Sequence, residues 1–465
     1  MKGFAGYVLS GLLLALFTGT VEAQSPKIEN APRLSPNVTE EMLTPDFWIA
    51  NLKGDPDQVI LTPSQISELN RENRTKSYQF TDIDGKKYSL LGKNTYLTED
   101  PLSMTSISGD SLRARMDQWL ASLDRGTSYD FRGKALDADA KRKIVEKTRR
   151  SEIPATVTPR YGILVCASQN MKYPTSAETW PSPESWISNN SVSALDAASP
   201  VAVLHVSEGG DWYFVRSEIH FGWVPATHVA LGSAQAIREY VQAKDFLVAT
   251  GGKVPVYSGS NPGAFLLDLY MGARVKLARK AADGYHVLIP WRGPDGSFQT
   301  VPGLVRPDAA VSVGYQPFTR RNMITTFFSK LDDPWSGGDY YEGRHCCGTV
   351  RGVLRTFGIS VLNSTTFQLH ASGHVVSCPE KTPNAVKYEY LRKCEPAITL
   401  LGSPAHVILY LGEANGRQYV IHSTGYDYKT ADGTTMLLRR VNVNDTELEG
   451  GSQVNTWTYM CELKP

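Results

Sequence analysis

The sequence predicts a multidomain protein with a helical N-terminal segment, two small β-barrels and a C-terminal α+β domain. Three observations lead there. The chain has 465 residues, more than a single hydrophobic core usually carries. Its pattern changes near residues 150 and 315, from polar helical stretches to short strands, then to mixed helices and strands. Its 39 Gly, 27 Pro and 22 Tyr suit short strands and turns better than helix bundles.

The N-terminus reads as an export signal at 1–23. Lys2 is the positive start, Phe4 to Phe17 is an apolar run, and Val21-Glu22-Ala23 fits the small-x-small cleavage rule. The run is short for a membrane anchor, and no second long apolar stretch follows, so a periplasmic or secreted protein with no stable membrane span is expected. With 48 basic against 47 acidic residues the formal charge is +1, which leaves no basic field for a nucleic acid. Six cysteines are too few for a disulfide scaffold, although the spacing of Cys378 and Cys394 would allow one bridge.

Residues 24–150 are expected to be mostly helical. Thr62-Pro63 is a helix start, and Leu112, Met116, Leu120 and Leu123 recur at near-helical spacing. Residues 155–233 and 234–314 carry short apolar runs between Gly, Asn, Asp and Pro. Examples are Val201 to His205, Trp212 to Val215, Lys253 to Tyr257 and Tyr285 to Ile289. Two tandem barrels, divided near Ser233, account for them. Residues 315–465 form the α+β domain.

That last domain holds the chemistry. The loop Trp335-Ser-Gly-Gly-Asp-Tyr-Tyr-Glu-Gly-Arg-His-Cys-Cys-Gly348 runs into a helix whose apolar stripe is Val350, Val353, Leu354 and Phe357, with Gly358 as its stop. Cys346 thus lies at a helix N-terminus, where unpaired N–H groups and the positive dipole end favour a thiolate. A thiolate nucleophile needs a base and a group to orient it. The strands His406 to Leu411 and Arg417 to His422 supply two histidines. A five-residue turn, Gly412 to Gly416, would pair Leu411 with Arg417 and set His406 directly opposite His422 on one face. One imidazole then takes the thiol proton while the other fixes its tautomer.

Other readings of these residues exist. Buried Cys and strand His are usually structural. Cys347 is an alternative nucleophile, turned about 100° round the helix from Cys346. A zinc site would use His345, Cys346, Cys347 or the pair His370 and His374, but adjacent cysteines share a tetrahedral ion poorly and no Cys-x-x-Cys occurs.

At these residues the chain resembles the NlpC-type papain-like cell-wall cysteine peptidases. The resemblance rests on Gly343-Arg-His-Cys-Cys-Gly-Thr-Val-Arg-Gly-Val-Leu-Arg-Thr-Phe-Gly-Ile359, on Thr399-Leu-Leu-Gly-Ser-Pro-Ala-His-Val-Ile-Leu-Tyr-Leu-Gly412 and on Val420-Ile-His-Ser423. It extends to Phe47-Trp48, similar to the N-terminal stabilising segment of multidomain members. Asp211-Trp-Tyr-Phe-Val-Arg216 with Gly222-Trp-Val-Pro225 is similar to the first of their two bacterial SH3-like domains. Val313-Gly-Tyr-Gln-Pro-Phe-Thr319 is similar to the join between the second of those domains and the catalytic one.

The resemblance implies a papain-like catalytic domain with Cys346 as nucleophile, His406 as general base and acid, and His422 as orienting group. It implies hydrolysis of the γ-D-glutamyl–diamino acid amide of peptidoglycan stem peptides or muropeptides by a monomer, with no cofactor and no metal. Three positions depart from the family pattern. The Asp that helps hold the substrate's free amino end is His345, the Ser after the nucleophile is Cys347, and the oxyanion-contributing Tyr is Trp335. His345 and Trp335 are therefore expected substrate-binding positions with altered preference. A catalytically weakened wall-binding protein, or a thiol acyltransferase or amidase on the same fold, are the alternative functions.

Overall fold

Three large sheets organise the chain in the computed structural model. The structure describes residues 27–465 apart from 76–77, 83–86, 91–99, 126, 131, 178, 184, 186, 340–342, 373, 380 and 449–453. The export signal expected at 1–23 and Tyr340, Tyr341 and Glu342 of the glycine-rich loop lie outside the described residues. No described helix is long and apolar enough to cross a membrane.

The first sheet has seven antiparallel strands, in the spatial order Val229–Gly232, Arg160–Leu164, Pro200–Val206, Trp212–Arg216, Phe221–Pro225, Ser168–Met171, Ser191–Leu195. Every residue of Trp212–Arg216 is buried, because both faces of the strand are covered. Trp212 and Phe214 meet Leu112 and Met116 of the helix Gly109–Arg125. Tyr213 and Val215, on the other face of the pleat, join a cluster that reaches Leu362 of the C-terminal domain. The second sheet is also seven-stranded and antiparallel, in the order Phe265–Tyr270, Lys253–Ser258, Phe298–Val305, Gly284–Arg292, Arg274–Ala281, Phe246–Ala249, Val311–Val313. Ser233, expected only as a divider, caps a helix. Its hydroxyl accepts from the Ala236 amide at 3.1 Å and starts Ala234–Val241. Ile237 and Tyr240 of that helix pack with Ile163 and Ala230 of the first sheet and Leu247 of the second.

The third sheet has eight strands, ordered Arg440–Asp445, Arg417–Thr424, His406–Ala414, Thr399–Ser403, Tyr459–Glu462, His374–Ser377, Tyr78–Asp82, Lys87–Leu90. Its last two strands correct the sequence reading. Residues 24–150 are not a separate helical segment. Tyr78–Asp82 pairs in parallel with His374–Ser377, and Ile28–Asn30 pairs in parallel with Thr435–Leu437. Unpaired edge N–H and C=O groups of the C-terminal domain are thereby satisfied by the start of the chain. The helix start at Thr62 is a capping box. Thr62 Oγ1 accepts from the Gln65 amide at 3.3 Å, and Gln65 Oε1 accepts from the Thr62 amide at 2.9 Å. Further along, the helix Gly109–Arg125 belongs to the core of the first sheet. The expected segment is thus divided between two bodies. Cys378 and Cys394 are free thiols within one apolar cluster.

Candidate active site

The helix Cys346–Arg355 begins at the end of the glycine-rich loop. Val350, Val353, Leu354 and Phe357 are all buried in the core beneath the third sheet, as their spacing requires. The helix stops in a Schellman turn. Gly358 sits at φ +80°, its amide donates to Arg355 O at 3.1 Å, and the Ile359 amide donates to Leu354 O at 3.1 Å. These contacts hold the first turn, and with it Cys346, against the strands His406–Ala414 and Arg417–Thr424.

The two histidines share a face, but by a different route from the one expected. The turn is Asn415-Gly416 alone, with φ +50° and +73°, a two-residue turn of the I′ kind. Ala414 pairs with Arg417, Glu413 with Gln418 and Gly412 with Tyr419. That register would send His406 and His422 to opposite faces. A bulge between Tyr410 and Gly412 then shifts it by one, so Tyr410 pairs with Val420 and Leu409 with Ile421. His422 lies diagonal to His406 rather than directly opposite, and His406 Nε2 is 2.6 Å from His422 Nδ1.

The proton order along this chain follows from Asn444, which the sequence reading missed. Asn444 Nδ2 donates to Asp445 O at 2.7 Å, which leaves its Oδ1 to accept from His422 Nε2 at 2.7 Å. His422 therefore carries its proton on Nε2 and accepts from His406 through Nδ1, leaving His406 Nδ1 for the thiol. Burial, and after it the charge of His406, pushes His422 down to about 3, against the opposing Asn444 hydrogen bond. A neutral, fully buried His422 is a fixed acceptor that steadies His406 in either protonation state. The Cys346 thiol is held well below its ordinary value. A hydrogen bond from Cys347 lowers it most, burial opposes, and the charge and hydrogen bond of His406 add to the lowering.

His345 and Trp335, the expected substrate-binding positions, are held by the protein itself. Both ring nitrogens of His345 are engaged. Nδ1 pairs with Asp339, and Nε2 is 2.9 Å from Cys347 Sγ. Asp339 is 2% exposed and tucked under the first helical turn. A Cβ on Gly348 would lie 2.1 Å from its Oδ1, so only glycine admits the carboxylate there. Trp335 donates its amide to Arg439 O at 3.0 Å, and its ring packs where a side chain on Gly425 would be. The next residue, Tyr426, is a second omission from the sequence reading. It is 54% exposed, its ring centroid is 5.2 Å from that of His406 at 76°, and burial together with the Cys346 charge raises its phenol. It offers an aromatic wall beside the base. Of the suggested zinc ligands, His370 bonds Thr366 O at 2.6 Å and His374 bonds Pro465 O, so they serve different partners. Among the described residues no group of three or more His, Cys, Asp or Glu is placed to hold a metal ion.

The first sheet reaches this loop directly. Gln169 Nε2 and Ser191 Oγ donate to Gly338 O at 3.0 and 2.8 Å.

Against this geometry, the family described as SH3 domain (SH3b1 type) matches residues 187–225, within the first sheet. An NlpC/P60 endopeptidase from Photobacterium damselae subsp. piscicida superposes with a TM-score of 0.70 at 15% identity, over 94% of this chain and 98% of that one. The chain shares that fold. An NlpC/P60 family protein from Bacillus cereus ATCC 10987 gives a TM-score of 0.42 at 17% identity, over 60% of this chain and 83% of that one. No curated protein sequence matches significantly.

Proposed function

We propose that the protein is a cysteine endopeptidase of peptidoglycan that hydrolyses the γ-D-glutamyl–diamino acid amide of stem peptides outside the cytoplasm. The observation that carries the reading is the chain Cys346, His406, His422, Asn444, aligned at a helix N-terminus. The fold shared with an NlpC/P60 endopeptidase and the SH3b1-type match support it. Cys346 attacks the amide carbonyl as thiolate. The tetrahedral oxyanion is met by the Cys346 amide, one of the N–H groups a helix start leaves without an intrahelical partner. His406, charged on Nδ1 and steadied by His422, gives its proton to the leaving amine, and a thioester remains. Water, deprotonated by His406, attacks the thioester and frees the acid. No step calls for a metal or an organic cofactor.

Mass spectrometry of products from defined muropeptides tests the reading. The expected product pair has a new carboxylate on D-glutamate and a new amine on the diamino acid. Intact muropeptides, or cleavage at another bond, would remove this assignment.

A second expectation concerns Gly402, which pairs with Val407 beside the base. A Cβ there would lie 2.0 Å from His406 O. Gly402→Ala is expected to cost about 1–3 kcal/mol of stability through overpacking and to displace His406. Thermal unfolding and muropeptide turnover should both fall, and a variant with unchanged turnover would show that the strand yields without moving the base.

A further inference from the structure

We propose that the first sheet sets the position of the nucleophile: its edge strand Ser191–Leu195 splints the helix Cys346–Arg355 at both ends, with Ser191 and Gln169 as positioning residues at the cysteine end and Asp196 at the other. The inference rests on the reading of Cys346 as the nucleophile. It makes the SH3b1-type part of the sheet, residues 187–225, a working piece of the catalytic unit rather than a wall attachment alone.

At the cysteine end the grip is on one peptide plane. Gly338 O accepts from Ser191 Oγ at 2.8 Å and from Gln169 Nε2 at 3.0 Å, which uses both lone pairs of that carbonyl. The carbonyl belongs to the planar unit joining Gly338 to Asp339, so holding it orients the Asp339 backbone. Both residues need holding. Their φ angles are +67° and +55°, a left-handed conformation that a non-glycine residue keeps only where its surroundings enforce it. The approach is close: a Cβ on Gly338 would lie 2.6 Å from Ser191 Oγ. Asp339 passes the constraint on. Its Oδ1 accepts from the His345 amide at 2.9 Å and pairs with His345 Nδ1, and its Oδ2 accepts from Asn363 Nδ2 at 2.7 Å. His345 is the N-cap residue of the helix and is joined directly to Cys346.

At the far end the grip is ionic. Asp196 directly follows the edge strand, is buried, and pairs with Arg355, the last residue of the helix. Arg351 Nη1, one turn earlier, is 3.9 Å from the same carboxylate, and its Nη2 donates to Glu218 Oε2 at 3.3 Å. Glu218 Oε1 accepts from Ser360 Oγ at 2.7 Å, just past the helix. Removing one partner of a pair buried this far is costly, so such pairs hold geometry even where they add little net stability. The lengths match. From Ser191 to Asp196 an extended chain spans about 16 Å, and the ten-residue helix is about 15 Å long. Between the two grips, Ala194 of the strand lines a narrow cleft together with Gly348, Thr349 and Gly352 of the helix.

In the full-length protein, the double variant Gln169→Leu/Ser191→Ala strips both side-chain donors from Gly338 O. Its kcat on a defined soluble muropeptide is expected to fall about tenfold or more with KM unchanged, the loss that a displaced reacting group brings. Each single variant keeps one donor and should lose less. The pH midpoint of Cys346 alkylation by iodoacetamide, with the label located by peptide mass spectrometry, should rise in the double variant, because the thiolate loses its contact with His406. That midpoint reports ionisation rather than access, and it needs no peptidoglycan. Asp196→Asn should lower kcat in the same way, and it decides the matter if the double variant fails to fold. A folded double variant with unchanged kcat and midpoint would overturn the proposal. So would a raised KM at unchanged kcat, which would put the two side chains against substrate, or a loss confined to binding of isolated sacculi, which would leave the sheet a tether. A wild-type protein inert to muropeptides removes only the endopeptidase reading, because the midpoint still reads the splint.

Discussion

Cys346→Ala is expected to lower muropeptide turnover on the order of 10⁵-fold or more, leaving only what binding and the helix-start N–H groups contribute. The sulfur does three things at once. It attacks, it carries the acyl group, and its negative charge is the reason for the surrounding donors. Cys346→Ser should be nearly as inactive. A hydroxyl ionises far less readily than a thiol, so the donors that make a thiolate here leave serine protonated. His406→Ala should also be severe, since it removes both the proton acceptor and the proton donor to the leaving amine. Because these groups act as one unit, the double variant Cys346→Ala/His406→Ala should be no slower than Cys346→Ala alone. The check is initial-rate product release by mass spectrometry on the purified variants. A Cys346→Ala protein within tenfold of wild type would remove the assignment, and additive losses in the double variant would show that the two groups act in separate steps.

Trp48→Ala is expected to destabilise the C-terminal domain by about 3–5 kcal/mol, the range for losing a large buried aromatic. Trp48 is fully buried, and its indole N–H donates to Met42 O at 2.8 Å. Its ring lies 5.3 Å from that of Tyr419, on the strand that carries His422. Tyr419 in turn donates its hydroxyl to Asn37 O at 2.7 Å. The start of the chain is thus clamped to the back of the hairpin. Alanine leaves a cavity at that clamp and an unpaired Met42 carbonyl. Urea unfolding followed by near-ultraviolet circular dichroism reads the loss. An unshifted midpoint would mean that the N-terminal segment contributes no stability to the hairpin.

Much of this was legible along the chain. The stripe Val350, Val353, Leu354, Phe357 with Gly358 specified the helix and its end, because helical spacing and a glycine stop act within a few turns. The alternation in the strands bearing His406 and His422 placed both histidines on one ladder. Their register was not legible. It depends on a two-residue turn and a compensating bulge at Tyr410 to Gly412, and a bulge leaves no mark in alternation short of the strand partner itself. Asn444 comes from the adjacent strand Arg440–Asp445, and nothing in its local sequence ties it to His422. Asp339 sits in the expected loop, but its part in orienting His345 follows from the close approach that Gly348 permits.

By itself, then, the sequence determined the elements and the chemical types: strand-rich middle regions, a thiol at a helix start and two histidines on neighbouring strands. Only the tertiary structure decided which groups meet. It joined the strand Tyr78–Asp82 to a sheet formed mainly by residues beyond 370, divided the expected helical segment between two bodies, and turned His345 toward Cys347. The reason is range. Periodicity, caps and turns report interactions between residues a few positions apart. Edge pairing, buried charge satisfaction and ladder register join residues hundreds of positions apart, and are set by what else needs a partner in the folded chain.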